Sequence, residues 1–142
     1  MKDASIAFIR AVGWGTLAGA GPFMAVLCVP MILGLMDGED WLLALMWVLY
    51  PLALSGMFVL GSALVFGVPL TFLLSEGPRE DGGTYALAGA FVGLLVPAAT
   101  TLAMGGELGA EVLFLCIPGL FAGLVTGTSW GRWRERRQAG TA

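Results

Sequence analysis

The chain has 142 residues, of which 58% are hydrophobic and only 12% charged, about half the charged share of an ordinary soluble domain. A water-soluble fold of this length cannot hide so many apolar side chains, so the composition excludes it and points to a bilayer, where a helix can be apolar on every face. With no histidine and two cysteines, imidazole chemistry and most zinc and haem ligation are excluded too, and a net charge of −3 with only seven cations, at Lys2, Arg10, Arg79, Arg132, Arg134, Arg136 and Arg137, leaves no basic face for nucleic acid.

The first apolar run follows Lys2 and Arg10. Ala18-Gly19-Ala20 has the small-x-small form of a signal-peptide cleavage site. The run continues through it to Leu35, so cleavage is not expected and residues 11–35 are expected to cross the membrane, which takes about 20 apolar residues. Gly13, Gly15, Gly19 and Gly21 lie early in this span, and Pro22 is expected to bend it. Met36-Asp37-Gly38-Glu39-Asp40 reads as a water-exposed turn.

The next apolar run, residues 41–74, would measure about 51 Å as one straight helix, which is too long for one perpendicular crossing and too short for two. Trp41, Trp47 and Tyr50 suit the headgroup level, and Pro51 suits a helix start. The expected division is a short interfacial helix over 41–50 and a second span over 51–74, its last turns kinked at Pro69. A single tilted, bent helix is the alternative.

Residues 75–84 form the one clear polar linker, with Gly77-Pro78 and Gly82-Gly83 as helix breakers and Thr84 as N-cap of a third span over 85–103. A glycine-rich turn over 104–109 leads to the fourth span, 111–130, followed by a basic tail over 131–142. Four crossings put both termini on one side. Cytoplasmic loops carry the excess of Lys and Arg, and this layout gathers all seven cations there while the outer turns hold Asp37, Glu39, Asp40, Glu107 and Glu111. The expected fold is therefore an all-α, four-helix integral membrane bundle with N- and C-termini cytoplasmic. Six arginines to one lysine, with abundant glycine, suggest the bacterial inner membrane.

The fourth span carries a glycine ladder at Gly119, Gly123, Gly127 and Gly131. Residues four apart share a helical face, and small residues let helices approach where lipid tails remove the hydrophobic drive to associate. With Gly15 and Gly19, and Gly89 and Gly93, the ladder is expected to act as a glycine zipper, either inside the bundle or as a seam between copies. Trp130, Arg132, Trp133, Arg134, Arg136 and Arg137 form a candidate lipid-headgroup anchor. Cys28 and Cys116 fall at similar depth and form a candidate thiol pair. The outer carboxylates could meet a hard cation, but a solvated acidic rim accounts for them, so no metal site is expected.

Beyond Glu111 at the foot of the fourth, the expected spans hold no Asp, Glu, Lys, Arg or His, the residues that ion pumps and proton-coupled transporters keep near the midplane. No serine has a histidine or lysine beside it to activate it. The expectation is a non-catalytic protein with no cofactor, acting as an accessory or scaffold subunit through helix association. Its partners would be the lipid bilayer and either another copy, as a homo-oligomer, or a second membrane protein. The alternative is a small oligomeric channel or transporter for a neutral or apolar solute.

Overall fold

The computed structural model describes residues 2–36, 41–75, 81–107 and 109–140. Among these residues five α-helices follow one another, with one π-helical turn. They are α1 (Lys2–Met36), α2 (Trp41–Ser62), the π-turn (Ala63–Gly67), α3 (Val68–Ser75), α4 (Gly82–Ala103) and α5 (Ala110–Ala139). Four helical runs are long and apolar enough to cross a membrane: Asp3–Gly34, Trp41–Leu74, Gly82–Ala103 and Val112–Ala139.

Prolines sit inside these helices at Pro22, Pro30, Pro51, Pro97 and Pro118 without ending them. A break inside a bilayer would release backbone groups that no water can take up, so the chain stays helical. For that reason the expected boundary at Pro51 does not occur. Helix α2 runs through a buried Pro51, and residues 41–75 form one unbroken run rather than a separate interfacial helix and a span. The disturbance expected at Pro69 lies one turn earlier and takes the form of a π-turn. The Pro69 ring would crowd the carbonyl four residues back, at Val65. The chain widens there into the π-turn, where the Val68 N–H donates to the Ala63 carbonyl.

Helix α4 begins before Thr84. Asp81 is the N-cap, and its carboxylate accepts the Thr84 N–H at 2.5 Å. Gly82 and Gly83 form the first turn rather than a break, because a second carboxylate, Glu135 of α5, accepts the Gly82 N–H at 2.6 Å. Two of the four orphan donors of the helix start are thus satisfied by side chains. Helix α5 likewise continues beyond the expected span, so residues 131–139 of the basic tail are helical.

Helix α5 is the axis of the molecule, with α4 along one side and α1 along another, while α2 leans on α1. The seam between α4 and α5 is a contact of backbones. A Cβ placed on Gly123 would lie 2.6 Å from the Gly89 carbonyl carbon, and one on Gly93 would lie 2.7 Å from that of Gly119. A Cβ on Gly127 would stand 2.8 Å from the Tyr85 carbonyl carbon, and one on Gly131 would stand 2.7 Å from the Gly82 Cα. The two helices descend past each other in register, one contact per turn. Against α1, Gly15 faces Thr126 and Ala122, and Gly19 faces Ser55 and Ala122.

The buried hydrophobic side chains are Ala11, Ala20, Val59, Tyr85, Val112, Cys116 and Ala122, most of them small. Large apolar side chains such as Met57, Phe72, Leu73 and Leu87 face outward. In water that distribution would forfeit the main term holding a fold together. In lipid it costs nothing, and dispersion between closely approached backbones takes over.

Candidate functional site: an apolar cleft beside α5

The arm formed by α2, the π-turn and α3 meets α1 but scarcely touches α4 or α5. Between them lies a cleft of about 1290 Å³, above the range of about 300–1,000 Å³ usual for small-molecule sites. One wall runs from Trp47 to Leu73, about 40 Å at 1.5 Å per residue. The walls are bulky and apolar, with Phe58, Leu64 and Phe66 on the arm facing Phe91, Val92 and Val96 of α4.

Five of the hydroxyls that line the cleft are committed to backbone carbonyls. Ser55 Oγ donates to Thr16 O at 3.0 Å and Thr71 Oγ1 to Gly67 O at 2.8 Å. Thr100 donates to Val96 O at 2.7 Å, Thr101 to Pro97 O at 3.0 Å and Thr126 to Ala122 O at 2.7 Å. A polar solute would find these donors spent. The first of these bonds also ties the arm to α1, since Ser55 belongs to α2 and Thr16 to α1.

At one end the cleft is floored by Trp130. Its Nε1 donates to Thr71 Oγ1 at 3.1 Å, which pins α3 to α5. Phe8 of α1 meets the Trp130 ring edge-on, with centroids 6.0 Å apart at 88°. Trp133 lies 4.8 Å from Trp130 at 31°, and the Arg137 guanidinium sits 5.4 Å above the Trp133 ring, a cation–π distance. Arg136 donates Nε to the Arg132 carbonyl at 3.2 Å. Beside this end, the Thr84 N–H, followed by the Thr84 hydroxyl, holds the exposed Asp81 carboxyl below its usual range.

The residues singled out from the sequence fall into three groups. Gly89, Gly93, Gly119, Gly123 and Gly127 meet along the α4–α5 seam, and Gly15 and Gly19 lie at the α1 contact. Within the chain the ladder therefore faces α4. Trp130, Trp133 and Arg137 form one stacked cluster, with Arg132, Arg134 and Arg136 on the same helix end. Cys28 and Cys116 are both free. Cys28 is exposed, whereas Cys116 is buried with its thiol donating to the Leu94 carbonyl at 3.4 Å, so the candidate thiol pair is not formed. Asp37, Glu39 and Asp40 lie outside the described residues, as does the side chain of Glu111. Glu107 is exposed, and no metal-holding cluster occurs among the described residues.

Sequence reasoning missed Glu135, which sits within a run of arginines, and the cleft itself. The periodicity of α5 held a signal for the cleft. Its lining positions include Leu115, Pro118, Ala122, Thr126 and Trp130, a stripe at helical spacing, beside Gly119, Gly123 and Gly127.

Compared with known proteins, the chain matches no family model, no curated protein and no solved structure. Its class rests on its own architecture, which is that of an all-helical, multi-pass membrane protein with four apolar helices.

Proposed function

We propose that this chain is a non-catalytic protein of the bacterial inner membrane that accommodates an apolar, elongated molecule in the cleft between the arm and α4–α5. The observation that carries this reading is the cleft's combination of size, bulky apolar walls and already-bonded hydroxyls. In this reading both termini are cytoplasmic, because that places Arg10 and the four arginines of α5 on the side where Lys and Arg accumulate. Trp41, Trp47 and Tyr50 then sit at the outer headgroup level.

Quenching of tryptophan fluorescence by alkyl chains brominated along their length tests the reading in detergent-solubilised protein. Saturable quenching that Trp130→Phe diminishes supports it, and quenching that rises linearly with probe, without saturation, contradicts it. An accessory or scaffold role is the second reading. It is favoured by the attachment of the arm chiefly through α1, which leaves the arm's opposite flank available to a partner helix. Co-purification of one polypeptide in fixed stoichiometry would favour that role.

A further inference from the structure

We infer that the occupant of the cleft is an anionic membrane phospholipid, its acyl chains between the arm and α4 and its phosphate at the arginine-bearing end of α5. This rests on the apolar-cleft reading above and adds the headgroup. The α5 stripe that lines the cleft passes through Thr126 and Trp130, and the next positions at the same three- and four-residue spacing are Trp133, Arg134 and Arg137. The apolar wall therefore leads directly into guanidinium groups. Trp133 and Arg137 are already stacked at that end, and Arg134 is half-buried. Basic pockets between membrane helices attract anionic headgroups, and among the described residues the cleft lining itself carries no charge of either sign.

A phospholipid fits better than a helix. Helices pack through small residues, and the glycines of α4 and α5 are used on each other. On the remaining walls bulky Phe58, Phe66 and Phe91 alternate with small residues such as Ala63, Gly67 and Ala88, an uneven surface that flexible hydrocarbon follows more readily than a rigid helix. The scarce contact between the arm and α4 leaves a lateral opening through which acyl chains can enter from the bilayer.

The test is native mass spectrometry of the full chain released from nanodiscs of equimolar phosphatidylglycerol and phosphatidylcholine. Retention of phosphatidylglycerol is expected to exceed that of phosphatidylcholine. Arg134→Gln and Arg137→Gln should each cut the preference about fivefold, the effect of one juxtamembrane arginine. Val92→Trp, which fills the cleft from α4, should abolish retention of both lipids with helix content by circular dichroism unchanged. Equal retention of the two lipids would overturn the headgroup assignment while leaving the cleft reading intact. Retention of neither would overturn both, and a polypeptide retained in place of lipid would overturn the choice of occupant.

Discussion

The α4–α5 seam and the cleft beside the arm are built from equally apolar sequence, yet one is closed to backbone contact and the other stands open. Glycine at Gly89, Gly93, Gly119 and Gly123 lets carbonyls of one helix lie against the backbone of the other. On the arm, bulky Phe58, Leu64 and Phe66 line the open side. Within lipid, hydrophobicity does not distinguish a contact from a gap, because the tails are as apolar as the side chains. Side-chain size makes the distinction.

The strongest way to break this contrast is to put bulk into the seam. Gly123→Leu should cost about 3 kcal/mol or more, the upper range for overpacking, because its Cβ alone already meets backbone that cannot move aside. Reversible unfolding in mixed SDS micelles would read this. Gly21→Leu is the matching control. A Cβ there meets nothing within 4 Å, so a change near zero is expected, and equal losses at both positions would remove size as the cause.

Glu135→Ala should cost about 1–2 kcal/mol as the loss of a helix cap, with amide exchange accelerating at Gly82 rather than in the middle of α4. On the open side, Ser55→Ala cuts one tie of the arm and should cost only about 0.6 kcal/mol, the average for hydrogen bonds between membrane helices. Its sharper signature is a broader distance distribution between spin labels on α1 and α2.

The smallest effect concerns acidity. A carboxyl held below its ordinary value stabilises the fold above that value and loses this contribution as pH falls through the lowered one. Asp81 is such a group, so protection of the Thr84 amide should weaken below about pH 4, and Asp81→Asn should remove that dependence.

Much of the helical layout was legible in the sequence, since unbroken apolar runs and four-residue glycine spacing are local signals. The α5 ladder was visible as a smooth face, but its partner was not, because no local feature shows that Gly119 would meet Gly93 rather than a second copy. The pair Asp81 and Thr84 fits an N-cap with its N3 position, yet the two glycines between them read as a break. They are helical because Glu135, 53 positions away in sequence, caps Gly82, and no local pattern reports a partner at that distance. The π-turn was hidden for a related reason. Pro69 marks a disturbance, but the choice between a kink and a wider turn depends on how the whole arm settles against α1.

The most direct measurement is oxygen accessibility of a nitroxide at Val92→Cys on the cleft wall, in bilayers, with Cys28 and Cys116 replaced by alanine. The reference positions are Leu95→Cys, exposed on α4 outside the cleft, and Ala20→Cys, buried in α1. A value at position 92 close to that at 95 is the expected result, because the cleft stands open to the bilayer. A value as low as that at 20 would mean that the arm closes onto α4, and the open side of the contrast would not exist.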